Sequence, residues 1–353
     1  MISVDSTARD QAAAVRRREI SARELLDLHL DRIAERNPEL NAIVSLDESR
    51  ARQGALAADE VLASGAEVGP LHGLPFAFKD THAVGGWRTT YGSTVMADNV
   101  PERDELIVER VRAAGAFTIG KTNVPEFAAG SHTFNKVFGT TLNPVDPTRS
   151  AGGSSGGAAC ALAAGMVPLA DGSDMGGSLR NPASFCGVVG MRPSLGRVPE
   201  WPLYNQWETT SVGGPMARNV RDLALLLSVM AGPDPRAPQA LGTPGASFAD
   251  PAAASLAGLK VALSVDLGGA LEVGFGRHGE RTGVVEAGMD GGVGVRRLLR
   301  LRLLNVVGKD HRGDGARGLG DAEGAVDQVA RLRRRGAGLH VVAGDVLEEA
   351  GEI

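Results

Sequence analysis

A chain of 353 residues, 43% apolar and 22% charged, is long enough for one large domain or two and has the composition of an ordinary soluble globular protein. A net charge of −5 without a long basic run excludes a surface that tracks nucleic-acid phosphates. The N-terminal MISVDSTARDQAAAVRRRE lacks an apolar signal segment and no window reaches membrane-spanning length, so a cytoplasmic protein with no membrane partner is expected.

Residues 7–36 read as two helices. Ser21 and Glu24 form a capping-box pattern ahead of ARELLDLHLDRIAER, in which Leu25, Leu26, Leu28, Leu30 and Ile33 make an apolar stripe. His29, set between leucines, reads as a satisfied helix residue rather than a ligand. LNAIVSL (40–46) reads as a strand, and 48–64 as a helix that stops at Gly65. GPLHGLPFAFKD (69–80) is a short apolar strand ending on a lysine. Pro75, Phe76, Ala77 and Phe78 precede Lys79, so its ammonium is expected to lose part of its hydration. Desolvation disfavours the charged form and turns a lysine into a base near neutral pH. The alternative on this segment alone is a strand-end lysine that reaches water or pairs with Asp80.

An amphipathic helix is predicted at 103–114, a strand at 116–123 and a short helix at 124–129. Residues 131–153, rich in Asn, Pro, Thr and Gly, read as irregular chain. After GGSSGG (152–157), AACALAAGM reads as a tightly packed small-residue helix, MVPLA as a strand and NPASFCG as a short helix. Asn219 caps VRDLALLLSVMAG, which Gly232 and Pro233 stop, and LKVALS (259–264) is another strand. Alternating elements without an internal repeat predict an α/β fold with a mainly parallel sheet covered on both faces. Cys160 and Cys186, the two cysteines, make no disulfide framework and are expected as buried thiols. No Cys or His spacing suggests a metal site.

Beyond residue 265 the composition changes. There is no proline after Pro251 and no serine after Ser264, while glycine and arginine become dense. Apolar periodicity is poor over 272–325; a helix at 320–336 and a strand at LHVVAG (339–344) are the elements expected there. The chain therefore divides into residues 1–265 and an atypical tail, 266–353.

The chemistry concentrates between Ala151 and Arg192, where GGSSGG and MGGSLR (175–180) each frame serine with glycine. Bare glycine backbone permits close approach, and consecutive amides can meet a developing oxyanion. GGSSG formally satisfies the G-x-S-x-G pattern at Ser154 and Ser155. That nucleophile elbow needs a buried strand before it, whereas NPVDPTRSA precedes it here. Its histidine would also have to be His278, His311 or His340, all in the tail. The better fit is a serine–serine–lysine relay, in which a neutral lysine takes a proton through one serine from another that attacks a carbonyl. The chain offers Lys79, Ser154 and Ser178 for it.

In these residues the sequence resembles the amidase signature family of serine hydrolases. The likeness rests on GLPFAFKD (73–80), on the block from AGGSSGGAAC through DGSDMGGSLRNPASFCGVVGMRPSLGRVP (151–199), and on VGGPMARNVRDLALLL (212–227), and it spans roughly residues 10–265. The resemblance implies an amidase-signature fold, with a mixed, mostly parallel central sheet covered by helices on both faces. It implies Lys79 as the base, Ser154 as a bridging serine on a cis peptide, and Ser178 as the nucleophile. The backbone amides of Met175, Gly176, Gly177 and Ser178 would form the oxyanion hole. Asp174 and Arg180 would buttress these loops as a charge-assisted pair, with Ser155 and Ser173 in support.

The implied reaction is hydrolysis of a small-molecule carboxylic acid amide to carboxylate and ammonia or amine through an acyl-enzyme, with no metal or organic cofactor. Two other readings stand beside it. The same block serves the glutaminase subunit of a tRNA-dependent amidotransferase, which the aromatic loop WPLYNQWETTSVGGP (201–215) disfavours. The other is an inactive remnant, because family members are longer and their C-terminal part lines the acyl pocket. From about residue 272 the sequence is expected to be frame-shifted or otherwise unrelated to the ancestral domain. A homodimer is left open.

Overall fold

In the computed structural model, Ser21 starts the second helix as its pattern predicts. Its side chain accepts the Glu24 amide while the Glu24 carboxylate takes the Ser21 amide (2.8 Å), satisfying two end donors reciprocally. The two N-terminal helices are α1 (Ala8–Arg16) and α2 (Ala22–Leu40). Leu25, Leu26, Leu30 and Ile33 of α2 are buried. His29 lies among them with its ring nitrogens 3.1 Å from the Met166 carbonyl and from Gln11 Oε1. Burial pushes its pKa down to about 4, so it is a neutral core residue.

Helix α2 runs beyond residue 36 and leaves only Ile43–Val44 as β1, where the sequence predicts a strand over 40–46. The cause is Asn37, whose Oδ1 accepts the amides of Ala42 (2.9 Å) and Ile43 (2.8 Å) and folds the chain back at the helix end. Next come α3 (Glu48–Ala63), β2 (Pro75–Lys79), α4 (Leu106–Ala113) and β3 (Phe117–Thr122). The short helix expected at 124–129 is a single 3-10 turn, Glu126–Ala128. Inside the irregular segment a small ladder forms from β4 (Phe134–Asn135) and β5 (Gly139–Thr140). The unit is completed by α5 (Gly156–Ala163), β6 (Leu169–Asp174), α6 (Arg180–Cys186), β7 (Val189–Gly190), β8 (Val212–Ala217) and α7 (Val220–Met230).

The strand expected at MVPLA begins only at Leu169. Met166 instead closes the end of α5, its amide bonding the Ala161 carbonyl (2.9 Å). Strand β8 has no forerunner in the sequence reading, since Gly213, Gly214 and Pro215 argue against a strand, yet it is the middle of its sheet.

The strands order as β1-β3-β2 and β6-β8-β7. β2 and β3 are parallel, with α4 in the crossover, whereas β1 on β3 and both partners of β8 are antiparallel. The fold is a mixed α/β architecture; among the described strands its parallel share is the β2–β3 pair. β2 meets β6 where the Lys79 amide donates to the Asp171 carboxylate (2.9 Å).

The structure describes residues 2–251 and two further strands, β9 (Lys260–Ser264) and β10 (Thr282–Glu286). The chain divides into two compact units, Met1–Pro251 and Ala252–Ile353. In the second, β9 coincides with the expected LKVALS strand and pairs antiparallel with β10. The helix expected at 320–336, the strand at 339–344, and His278, His311 and His340 lie outside the described residues. No helix among the described residues is long and apolar enough to cross a membrane.

Helix α5 is made of small residues because it presses against backbone. A Cβ on Gly157 would stand 2.3 Å from the Asn123 nitrogen and 2.8 Å from the Ala42 oxygen, neither of which can swing away. Gly157→Ala is therefore expected to cost about 2–3 kcal/mol by overpacking, read as a lower midpoint in thermal unfolding. An unchanged midpoint would contradict this packing. Cys160 and Cys186 are free and buried, as expected. Burial pushes Cys186 up to about 12 and Cys160 well above its ordinary range, so neither supplies a thiolate.

Candidate active site

Lys79 closes β2, whose residues Pro75–Lys79 are all buried. It reaches neither water nor Asp80. The Asp80 carboxylate instead takes the Thr90 amide (3.1 Å) and hydroxyl (2.5 Å). Lys79 Nζ lies 2.9 Å from Ser154 Oγ, 2.9 Å from Ser155 Oγ and 2.8 Å from Ser173 Oγ. Burial lowers its pKa to about 7, against the opposing pull of Asp171 and Asp174. As an ammonium it donates to all three hydroxyls. As a free amine it donates to two and accepts the proton of the third, which is the first step a serine relay needs.

Ser154 and Ser155 reach Nζ because they sit where the chain enters α5, after a cis Gly153–Ser154 peptide. Both are buried. The positive end of the α5 dipole favours a developing negative charge on these hydroxyls. Ser173 arrives by strand alternation. Asp171 and Ser173 are two apart on β6 and share a face, so one meets the Lys79 amide and the other its amine.

Asp174 points away from that face and organises the loop carrying Ser178. Its carboxylate accepts the amides of Gly177 (2.8 Å) and Leu179 (3.1 Å) and a two-point contact from Arg180 Nε and Nη2 (both 3.0 Å). Arg192 adds a third guanidinium contact at 3.3 Å and ties Asp174 to the Thr210 carbonyl. Burial alone would raise the Asp174 pKa, but the Arg180 fork and the two amides outweigh it and hold it at about 2. Because this folded value lies below the ordinary 3.8, the contribution to stability is present above pH 3.8 and lost as pH falls through about 2. Asp174→Asn is expected to lower kcat/KM about 10²-fold by loosening this loop, with binding affected less than turnover. Unchanged kcat would show that the loop needs no such anchor.

Gly177 has φ +108°, a backbone conformation that side chains disfavour. Of the four amides expected to form the oxyanion hole, that of Gly177 is already engaged by Asp174. Those of Met175, Gly176 and Ser178 show no hydrogen bond among the described residues. Ser178 is half-buried, and its carbonyl accepts the Ser155 amide (3.2 Å), which tethers this segment to the serine pair.

Sequence reasoning missed several neighbours. Asp171, His82 and Lys121 are buried around Lys79, and Arg192 braces Asp174. A signal was present for two of them: Asp171 directly follows the apolar run MVPLA, and Lys121 follows Phe117 and Ile119 in FTIGKT, each a charge at an apolar stretch. His82, three residues after Lys79 in a loop, carried none.

The amidase family model matches residues 24–274. A glutamyl-tRNA(Gln) amidotransferase component of Synechococcus sp. (strain CC9605) is 46% identical over 69% of this chain and 50% of its own length. An acylamidase of Rhodococcus erythropolis is 40% identical over 74% of this chain and 55% of its own. Among solved structures, a bacterial aryl acylamidase of the amidase signature family superposes with a TM-score of 0.65 at 35% identity, over 68% of this chain and 50% of that one. The chain thus spans about half the length of the relatives it matches. With the family match covering most of the chain and the lysine–serine cluster built from the residues that carry it, the protein belongs to the amidase signature family.

Proposed function

We propose that this chain carries the catalytic half of an amide hydrolase, with Lys79 as base, Ser154 as relay and Ser178 as nucleophile. The observation that carries the reading is a fully buried lysine amine in contact with three serine hydroxyls and depressed to near neutrality. Ser178 Oγ attacks the amide carbonyl; its proton passes to Ser154 as the Ser154 proton passes to Lys79. The open amides of Met175, Gly176 and Ser178 receive the oxyanion, with Gly177 held by Asp174 as the loop's brace. The proton on Lys79 returns through Ser154 to the leaving amine. Water then attacks the Ser178 ester by the same route and releases the carboxylate. Ser155 and Ser173 hold the Lys79 amine on the relay axis, and Arg180 secures Asp174.

A second reading, the glutaminase role, has its own support: similar curated relatives include several components of glutamyl-tRNA(Gln) amidotransferases. The free-standing hydrolase stays ahead because Tyr204 and Trp207 expose aromatic surface in the 201–215 loop, suited to an apolar substrate. A panel of anilides, primary alkyl amides and glutamine separates the two. Turnover of anilides or alkyl amides by the chain alone supports the hydrolase. Turnover of glutamine alone, and only with a co-purifying partner, supports the glutaminase role.

The boundary near residue 265 belongs to the same proposal. The family match ends at 274, close to the point where proline and serine disappear from the sequence. We assign the sequence from about residue 272 to a frame other than that of the ancestral domain. Reading the gene in its other two frames beyond codon 271 is expected to reveal an amidase-like continuation; none in either frame would overturn this.

A further inference from the structure

Beside the lysine–serine cluster runs a row of ionisable groups that the relay does not use. His82 follows Lys79 closely, its amide bonding the Lys79 carbonyl (2.9 Å). Its Nδ1 lies 2.7 Å from Glu105 Oε2, and the other Glu105 oxygen accepts the Ala83 amide (3.0 Å), so this carboxylate is anchored at both oxygens. Its Nε2 faces Asp171 Oδ2 at 3.4 Å, and neither atom has a hydrogen-bond partner among the described residues. The remaining Asp171 oxygen holds the Lys79 amide. The row therefore reads Glu105, His82, Asp171, Lys79, and His82 and Asp171 are buried.

A neutral imidazole donates from one nitrogen only. If Nδ1–H serves Glu105, the Nε2 lone pair would face a carboxylate oxygen in a buried site, an arrangement that costs rather than contributes. One additional proton, carried on Nε2 and directed at Oδ2, removes the conflict. We propose that His82 is a positioning residue for this proton: held between Glu105 and Asp171, it neutralises the Asp171 carboxylate and so leaves the Lys79 amine free to act as base. Without that proton, the bare Asp171 carboxylate would pull more strongly on Lys79 and favour its ammonium form. The proton stays in place through the catalytic cycle, and no bond is made or broken in the row.

The other charges around His82 are accounted for. Lys121 from β3 donates to the His82 carbonyl, and Glu200, ahead of β8, adds a further carboxylate whose Oε1 takes the Gly213 amide. Burial works against charge on His82, yet Glu105 and then Asp171 outweigh it and raise its pKa, with Lys79 opposing. Burial likewise raises Asp171, and His82 opposes that shift. Both directions favour a proton between them.

This inference rests on the proposed role of Lys79 as base, so two readouts are needed. The first is independent of activity. In the full-length Ser178→Ala protein at pH 7.5, long-range 1H–15N spectra, assigned against Ser178→Ala/His82→Gln, are expected to show no lone-pair-type nitrogen on His82. An ordinary neutral imidazole there would overturn the proposal. The second is the pH dependence of fluorophosphonate labelling at Ser178. His82→Gln keeps hydrogen bonding without the charge and should move the acid limb up by about one pH unit. Asp171→Asn should move it down, and the double variant should return it near the starting value. A slower reaction with an unmoved limb in His82→Gln would mean that His82 is only structural. If the limb persists in Lys79→Met, the base assignment itself fails and this inference with it. If it vanishes there but ignores His82→Gln, only this inference fails.

Discussion

Lys79→Met is expected to lower kcat/KM on any accepted amide by roughly 10³–10⁴-fold and to abolish the acid limb of the pH profile, since it removes the amine placed to take the serine proton. The wild-type limb is expected near pH 7, where the amine begins to lose its proton. Activity should rise through that pH and then stay level until another group titrates. The same variant should be more stable than the parent at neutral pH. Lys79 has a folded value near 7 against an ordinary 10.5, so between those values the unfolded chain binds more protons and stability rises with pH. Burying this amine therefore costs stability below about pH 10, and methionine fills the same space without that cost. A loss of activity together with a gain in thermal midpoint would identify a lysine kept for chemistry. A loss of both would point to a lysine kept for its three serine bonds.

Ser178→Ala carries the largest expected effect, roughly 10⁴–10⁶-fold in kcat, because in the proposed relay Ser178 is the nucleophile and its loss removes the acyl-enzyme. Substrate affinity should change little, since the oxyanion amides and the Asp174 anchor belong to the backbone and to neighbouring side chains. Losses in the Lys79→Met/Ser178→Ala double variant should not add, as expected of groups acting in one step. Residual turnover in Ser178→Ala within tenfold of the parent would remove Ser178 from the nucleophile role.

Much of this site was legible in the sequence because its parts advertise themselves locally. A lysine behind Pro75–Phe78 points to desolvation only once GGSSGG and MGGSLR, with their bare glycine backbone, are read beside it; alone, the segment also fits a strand-end lysine reaching water or Asp80. The capping box at Ser21, the small-residue helix after Ser155 and the helix from Asn219 follow from similarly local rules and are found where expected. What could not be read depends on contacts between distant segments. Ser173 joins Lys79 because β6 runs on to Asp174, past the end of MVPLA, and so carries Asp171 and Ser173 on the face that meets β2. Strand β8 was hidden because two glycines and a proline lower its propensity, while burial between β6 and β7 supplies what propensity lacks. The Gly177 amide looked free in the motif and proved to be spent on Asp174, three residues earlier. His82 gave no local sign at all, since its partners lie on α4's entry loop and on β6.

The most direct test of the lysine–serine account is fluorophosphonate labelling of the purified chain, followed by peptide mapping and repeated across pH 5–9 with Ser178→Ala and Lys79→Met. The account predicts one modified residue, Ser178, labelled at a rate that rises through about pH 7; no labelling in Ser178→Ala; and slow labelling without that rise in Lys79→Met. Labelling at another serine, or an equal rate with and without Lys79, would contradict it.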